Sequence, residues 1–352
     1  MNRTKAVALA TALLAGVVTI AGASSASADF VPQSRDVVGV GSDTIQYALN
    51  NLADGATIGS TFTSGYNLTA GARLVSFNAL NPSVAISDTT AIHDMITLKV
   101  GTTPITRPDG SGAGKATLFG TGNNAAVDFA RSSSALNAAE VTGGLKAYPF
   151  ALDQLAAAVS AQGTNAPAAI SVQQLVSIYS GAVTNWSQIG GLNGVIIPEI
   201  PQAGSGTRTF FEAQLATANG GVAVNLATTV VEVQEHDPSV FTAAPNVVAP
   251  FSIGRAAMPN ATSLVHIETG TASDGNASFT AKRAVYNVVR GTDVAKGYVG
   301  SLFGASGFLC GSGAQSLIEA AGLKQLAAPV DGGVCGQQYA TTTGVSNFTV
   351  NP

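Results

Sequence analysis

The chain has 352 residues, of which 46% are hydrophobic and only 10% are charged. This length predicts two domains, and the apolar fraction is large enough to build a core, which excludes wholesale disorder. With 16 basic and 20 acidic residues, the chain lacks the positive excess of a nucleic-acid-binding protein. We therefore expect no nucleic-acid partner.

The first 28 residues have the pattern of a secretory signal peptide. Arg3 and Lys5 precede an apolar run at 6–23, and an A-x-A cleavage site follows at 26–28. A membrane anchor is the alternative, but the run is short for a span and rich in alanine and glycine. We therefore expect a secreted bacterial protein, outside the cell, in its wall or in its periplasm, with no membrane span after cleavage. No cysteine lies near the cleavage site, which predicts the absence of a lipid anchor.

The next 120 or so residues alternate short apolar segments with glycine-rich turns. Residues 60–106 are rich in Ser, Thr, Asn and Gly and predict irregular strands and loops, whose role stays open. The predicted elements are a strand at 37–41, a helix at 45–52, a glycine-rich turn at 107–114, a helix at 115–119 and a strand at 126–130.

From residue 148 the chain becomes more apolar. A long strand at 148–159 is predicted to cross into a second domain, and a strand at 284–289 to return to the first. Alternating strands and helices predict an α/β architecture. The other predicted elements are a helix at 171–180 with Ser171 as its N-cap, a strand at 195–200 and a helix at 208–216.

Three turns of glycine with Ser or Thr connect a strand to a helix, at 41–44, 110–114 and 204–207. A helix start presents unpaired backbone N–H groups and the positive end of the helix dipole. Glycine lets a ligand approach that backbone, and hydroxyl groups add donors, so such turns are suited to bind an anion. One turn is weak evidence, and three together favour an anion-binding protein.

Motifs of other functions are incomplete. A phosphate-binding P-loop around Lys115 fails because Asp109 and Ala116 stand where it needs Gly and Ser or Thr. The nucleophile elbow of serine hydrolases fails because Ala203 precedes Ser205 by two positions. The three histidines are far apart, and no paired motif indicates a metal, so we expect no cofactor.

Five segments, in order along the chain, resemble the phosphate-binding substrate proteins of ABC importers, members of the type II periplasmic-binding-protein superfamily. The family patterns include G-S-G/S-x-G, D-F-G-A-S-D, I-F-S-G-x-I-x-x-W and G-S-G-T-R. The matching segments are GVGSDT at 39–44, GSGAG at 110–114, VDFARS at 127–132, IYSGAVTNW at 178–186 and GSGTR at 204–208.

The resemblance implies a two-lobe α/β fold with hinge strands between the lobes and an oxyanion held in the cleft. After the signal peptide at 1–28, it implies a discontinuous lobe I at 29–150 plus 281–352, and lobe II at 151–280. It also implies a monomer with no enzymatic activity, with an ABC permease as its partner. The predicted ligand-binding residues are Ser42, Asp43, Thr44, Ser111, Gly112, Arg131, Ser132, Ser133, Ser205, Gly206 and Thr207.

Two positions depart from the family. Its ligand-binding Asp falls on Ser133, and its ligand-binding Arg falls on Pro201. Asp43 and Arg131 are the candidate replacements, since an arginine can hold an anion through two parallel hydrogen bonds. The alternative for Arg131 is an ion pair with Asp128 or another surface acid.

Cys310 and Cys335 are the two cysteines of the chain. Export would expose them to an oxidising compartment, where a disulfide would stabilise the fold by about 3 kcal/mol. Two free thiols are the less favoured alternative.

Three functions follow from these observations. The first is a secreted solute-binding protein that captures phosphate or a similar small oxyanion for ABC-type uptake. The second is an extracellular interaction or sensing protein without a transport role, which the two departures favour. The third is a secreted hydrolase of phosphate esters, for which only unassigned Ser, His and Asp residues argue.

Overall fold

The computed structural model describes residues 31–68, 71–85 and 91–352, so the predicted signal peptide lies outside the described residues. The strands are β1 Val37–Gly41, β2 Ala56–Ile58, β3 Thr61–Thr63, β4 Leu74–Ser76, β5 Met95–Ile96, β6 Ile105–Thr106, β7 Phe129–Ser132, β8 Leu145–Ser160, β9 Ile197–Pro201, β10 Val231–Val233, β11 Val247–Ser252, β12 Val265–Ile267, β13 Thr280–Arg290 and β14 Lys324–Gln325. The α-helices are α1 Gln46–Asp54, α2 Gly110–Ala116, α3 Ala138–Thr142, α4 Val172–Tyr179, α5 Gly206–Ala218, α6 Val240–Ala243, α7 Ile253–Ala256 and α8 Ser312–Glu319.

A curled ten-stranded sheet runs through the described part of the chain in the order β10-β9-β11-β8-β13-β7-β1-β4, with β12 and β14 also paired to β8. Its two ends are parallel: β1 pairs with β4 and β7, and β9 pairs with β10 and β11. Its centre is antiparallel, because β13 pairs with β7 and β8, and β8 pairs with β11. Two parallel α/β regions are thus joined by antiparallel strands, which confirms the α/β fold with two lobes.

The strands β8 and β13 connect the lobes. Their pairing extends from Thr280 opposite Ala156 to Arg290 opposite Leu145. This confirms the long strand predicted at 148–159 and the returning strand predicted at 284–289. Both strands are mostly apolar and buried, as expected of strands that are covered on two faces.

Separate apolar cores lie on the two sides of these strands. On β8, residues up to Leu152 belong to the core of β1 and α1. Beyond them, Leu155, Ala157 and Val159 pack with α4 and α5, and Ala158 packs in a third cluster with α6 and β11. Asp153 of β8 and Arg283 of β13, which are opposite each other, stand where the cores change. The lobes therefore meet around a charged pair.

Local sequence explains the ends of the helices. Ser171 and Gln174 form a capping box at the start of α4, which confirms the predicted N-cap. The prediction of a helix at 115–119 is wrong, because α2 begins at Gly110 and ends at Ala116. Asp109 before it is extended, and the glycines of the helix allow close packing on β1. A Cβ on Gly114 would lie 2.6 Å from the Cα of Gly41.

The strand predicted at 126–130 begins later than expected. The N–H of Val127 donates to the carbonyl of Asn124, which makes a turn, and pairing with β1 starts at Phe129. The predicted disulfide between Cys310 and Cys335 is present, with the two Cα atoms 5.7 Å apart. Among the described residues, no helix has the length and apolar character needed to cross a membrane.

Candidate functional site

The first glycine-rich turn leaves β1, which lies between β4 and β7 near one end of the sheet. Gly41 has a φ of +112°, a conformation that glycine adopts without strain, and it bridges to Asp109 of the second turn. Ser42, Asp43 and Thr44 follow it, and all three are buried. The turn therefore carries its polar side chains into the boundary between the lobes.

The second and third turns face each other across that boundary. The N–H of Gly112 donates to the carbonyl of Gly204 over 2.9 Å. A Cβ on Gly206 would collide with the hydroxyl oxygens of Ser111 and Ser133. A glycine at position 206 lets lobe II come this close to lobe I with both serine side chains in place.

Five buried hydroxyl groups, which we call the hydroxyl cluster, meet at this boundary. The Oγ of Ser42 donates to the Oγ of Ser133 over 3.2 Å, and Ser111 and Ser133 are hydrogen-bonded over the same distance. The Oγ1 atoms of Thr44 and Thr207 are 3.3 Å apart. The cluster consists of Ser42, Thr44, Ser111, Ser133 and Thr207.

Three charged residues, Asp153, Glu235 and Arg283, lie beside the hydroxyl cluster, and we call them the charged centre. Asp153 and Arg283 belong to β8 and β13, the hinge strands between the lobes. Arg283 donates to Asp153 through Nε over 2.8 Å and to the hydroxyl of Thr207 through Nη2 over 2.8 Å. The second oxygen of Asp153 accepts from Ser252 over 2.6 Å. The Nη1 of Arg283 is buried and has no hydrogen-bond partner among the described residues.

Glu235 brings an acceptor to the same place. Its Oε1 accepts from the hydroxyl of Thr44 over 3.0 Å and from the backbone N–H of Thr207 over 3.3 Å. Its Oε2 is buried and without a partner in the described part of the chain. Among the described residues, the charged centre thus holds an unused donor on Arg283 and an unused acceptor on Glu235, and Oδ1 of Asp43 and Nδ1 of His236 nearby also have no hydrogen-bond partner.

His236 borders the charged centre and has an unusual backbone. Its φ is +56°, and its Nε2 lies 3.3 Å from the Oγ1 of Thr44. Burial, with Arg255 and Arg283 nearby, holds the pKa of His236 well below its usual value. The ring is therefore neutral at physiological pH.

Asp43, a candidate replacement for the missing family acid, is engaged by Arg255 from lobe II. The Nη1 of Arg255 lies 3.2 Å from Oδ1 of Asp43 and donates to its backbone carbonyl over 3.0 Å. Burial raises the pKa of Asp43 to about 6, and Glu235 adds to this, while Arg255 and Arg131 oppose it. The carboxyl is thus part of an interlobe ion pair.

Arg131, the candidate replacement for the missing family arginine, lies fully buried below the first turn. Its guanidinium donates to the carbonyls of Gly41 and Ser42 and to the hydroxyl of Ser76. The ion pair with Asp128, weighed as an alternative, is wrong, because Asp128 is paired with Lys99 over 2.7 Å. Arg131 fixes the backbone of the first turn, and its direct contact with a ligand stays a prediction.

The remaining predicted residues have varied surroundings. The hydroxyl of Ser132 donates to the carbonyl of Ser134, so it is turned toward its own loop. Ser205 accepts from the N–H of Arg208 and caps α5, while Gly112 uses its N–H in the contact with Gly204. The structure therefore brings Ser42, Thr44, Ser111, Ser133, Gly206 and Thr207 together.

Several polar residues of the site escaped the sequence analysis: Asp109, Asp153, Glu235, His236, Arg255 and Arg283. A signal was present for two of them, because Asp153 and Arg283 interrupt long apolar strands. A charge in such a strand is costly to bury unless it is paired, so it marks a functional or structural pair. Nothing local distinguishes Glu235 or Arg255 from surface residues.

The fold and the site define a two-lobe binding protein. The family model of the PBP superfamily domain matches residues 32–345. The chain belongs to this superfamily. No curated protein matches the chain.

Three solved structures illustrate the fold. A putative phosphate ABC transporter substrate-binding protein with bound phosphate from Clostridium perfringens has a TM-score of 0.54 at 16% identity, covering 83% of this chain and 99% of its own. The high-affinity periplasmic phosphate-binding protein PfluDING, bound with phosphate, has a TM-score of 0.52 at 16% identity. The match covers 84% of this chain and 91% of PfluDING. An ABC-type phosphate transport receptor from Vibrio cholerae has a TM-score of 0.50 at 19% identity. The match covers 82% of this chain and 99% of the receptor.

Proposed function

We propose that this protein is a secreted solute-binding protein that captures phosphate or a similar small oxyanion between its lobes. The observation that carries the proposal is the meeting of five buried hydroxyl groups from both lobes beside an arginine with an unused donor. Hydroxyl groups and a guanidinium are donors suited to oxyanion oxygens. The solved structures with this fold, which are described as phosphate-binding proteins, add support.

In this proposal the lobes open to admit the anion and close on it. Anion oxygens take the place of the hydroxyl-to-hydroxyl bonds of Ser42, Ser111 and Ser133 and of the contact between Thr44 and Thr207. Bonds to a charged acceptor are stronger than bonds between neutral hydroxyls, which favours the exchange. The chain then acts by binding, with no chemical step.

Arg283 and Glu235 supply the charges that the family holds at the positions of Pro201 and Ser133. The Nη1 of Arg283 donates to an anion oxygen, and Asp153 keeps the guanidinium oriented. The unused Oε2 of Glu235 accepts from a protonated oxygen, as on hydrogenphosphate. Arg131 and Asp43 then hold the first turn in position from below and from the side.

We further propose that residues 29–150 plus 281–352 and residues 151–280 are the two lobes. The change of apolar core along β8 and β13 supports a division near these positions. Hinge motion would then occur near the place where Asp153 and Arg283 face each other, since a hinge concentrates the φ and ψ changes of domain closure in a few residues of the connecting segments.

We also propose export by the signal peptide at 1–28, action as a monomer, and delivery of the anion to an ABC permease. The N-terminal sequence pattern supports export. The description of a similar structure as an ABC-type transport receptor supports the permease. Sequencing the N-terminus of the protein recovered from the culture medium or periplasm would locate the cleavage.

Calorimetric titration of the purified protein with phosphate and then with sulfate tests the function. We expect saturable binding of phosphate at one site, with sulfate bound more weakly because it presents no proton to Glu235. The alternative function, interaction or sensing without transport, requires no such heat. Absence of binding with both anions would therefore overturn the proposal.

A further inference from the structure

Asp109 joins the lobes through two glutamine side chains. It precedes α2 in lobe I, and its Oδ2 accepts from the Nε2 of Gln202 over 3.0 Å. Its Oδ1 accepts from the Nε2 of Gln234 over 3.3 Å. Gln202 in turn accepts from the backbone N–H of Glu235 over 2.7 Å. We call Asp109, Gln202 and Gln234 the Asp109 clasp.

The clasp brings like charges together when the lobes close. Asp43 and Asp109 belong to turns of lobe I, while Glu235 belongs to lobe II, and both neighbours raise the pKa of Asp109. Arg131 is the nearby cation on the lobe I side, and Arg255 and Asp237 act on Asp43 from lobe II. His236 is neutral and adds no charge. In an open molecule the acid of lobe II is removed from the two acids of lobe I.

We propose that the Asp109 clasp is a proton-linked latch, which closes the lobes when Asp109 is protonated and loosens when it is ionised. A protonated carboxyl still accepts from one glutamine amide, and its O–H can donate to an amide oxygen after a glutamine side chain rotates. An ionised carboxylate keeps both amide bonds but meets the charges of Asp43 and Glu235. The inference takes lobe closure from the proposed function and concerns its regulation.

The direction of the pH dependence follows from the raised pKa. Burial, then Asp43 and Glu235, raise the pKa of Asp109 in the closed molecule from 3.8 to about 7, against the opposing bonds from Gln234 and Gln202. Closure is thus fully favoured below the pKa of the open molecule and is lost as the pH rises toward about 7. Within that window the closure equilibrium falls by up to about tenfold per pH unit. Burial also raises the pKa of Asp43 to about 6, and its interlobe ion pair with Arg255 opposes this rise.

Small-angle X-ray scattering of the anion-free protein tests the latch between about pH 5 and about pH 8. We expect the radius of gyration of the wild type to increase with pH, because an open two-lobe molecule is less compact. Asp109→Asn keeps the shape of the side chain without its charge, so its radius should change much less. Asp331→Asn, an exposed acid of lobe I, is the matched control and should behave as the wild type.

A second variant keeps the test decisive if Asp109→Asn unfolds, which circular dichroism would reveal. Glu235→Gln removes a negative charge that repels both Asp43 and Asp109 in the closed state. With less repulsion to relieve, the variant should open at a higher pH than the wild type. A wild-type radius that is constant with pH, or an equal change in Asp109→Asn, overturns the latch. Because no anion is present, this result is independent of whether phosphate binds.

Discussion

The hydroxyl cluster and the charged centre are neighbours, yet they arise in different ways. Each hydroxyl belongs to a short glycine-rich turn or to the end of β7, and its place is set by local backbone geometry. The charged centre takes Asp153 and Arg283 from two hinge strands and Glu235 from a loop of lobe II. The hydroxyl cluster is thus positioned by short segments of the chain, whereas the charged centre exists only when the whole fold is assembled.

The difference explains how the chain can depart from the family pattern and still keep a balanced site. Pro201 and Ser133 lack the charges that the family places in its turns. Charges on other elements reach the same boundary, because both hinge strands cross it. In the proposed site the charges thus come from segments other than the glycine-rich turns, whereas most of the hydroxyl groups stand in those turns.

Replacing Arg283 should have the largest effect. Arg283→Met removes the donor for the anion and leaves Asp153 buried without its cation, which typically costs about 3–5 kcal/mol in the free energy of unfolding. Loss of a charged hydrogen bond also weakens anion binding by roughly tenfold or more. Chemical denaturation and calorimetry measure the two effects separately.

Two controls sharpen this prediction. Arg290→Met on the same strand breaks an ion pair with Asp293 in lobe I, and should reduce stability without changing anion affinity. The double variant Arg283→Met with Asp153→Leu should regain stability, since no buried charge is left alone, but not affinity. Full affinity in the double variant would show that Arg283 and Asp153 have a structural role only.

Filling the space at position 206 should have the next largest effect on affinity. Gly206→Ala places a methyl group against the hydroxyls of Ser111 and Ser133, so these side chains must rotate out of the hydroxyl cluster or the lobes must stay farther apart. Overpacking of this kind costs about 1–3 kcal/mol, which corresponds to a loss of affinity of roughly 5- to 140-fold. Gly313→Ala, in open space on α8, is the control and should leave the affinity unchanged. Equal affinities in both variants would contradict close approach of the lobes on binding.

A single hydroxyl deletion should have a smaller effect. Ser111→Ala removes one donor to the anion and one partner of Ser133, a loss of about 1 kcal/mol, or roughly fivefold in affinity. Ser177→Ala, whose hydroxyl donates to a carbonyl on its own exposed helix, is the control. Calorimetry with phosphate compares them, and no difference between the two variants would remove Ser111 from the site.

Removing the disulfide should change stability but not binding. Changing both Cys310 and Cys335 to Ser lowers the free energy of unfolding by about 3 kcal/mol, because the unfolded chain regains freedom. Both cysteines pack in the apolar core of lobe I, away from the hydroxyl cluster. We expect unchanged phosphate affinity at temperatures where the variant is folded. A loss of phosphate affinity as large as that expected for Gly206→Ala would show that the region of the disulfide affects the binding site.

Much of the fold could be predicted from local patterns. The hinge strands are long and apolar, and the start of α4 carries a capping box, so both are visible in the sequence. The start of α2 was missed because its glycines suggest a turn, whereas packing against Gly41 makes them helical. Tertiary packing, rather than the intrinsic helix propensity of glycine, therefore makes this segment helical.

The site was predictable to the extent that it is made of turns. Thr44, Ser111 and Thr207 could be selected because each stands in a glycine-rich segment. Glu235 follows a short strand and meets Thr44 only because the lobes come together, so no spacing along the chain reveals it. Arg131 was selected, but its partners, which are backbone carbonyls of the first turn, could not be read from the sequence.

The most direct test of the central claim is a crystal structure of the protein grown with arsenate, which has the shape of phosphate and scatters anomalously. We expect an anomalous peak between the lobes, within hydrogen-bond distance of the Nη1 of Arg283 and of the hydroxyls of Thr44 and Thr207. A peak elsewhere on the molecule, or an interlobe region with no peak at saturating arsenate, would contradict it.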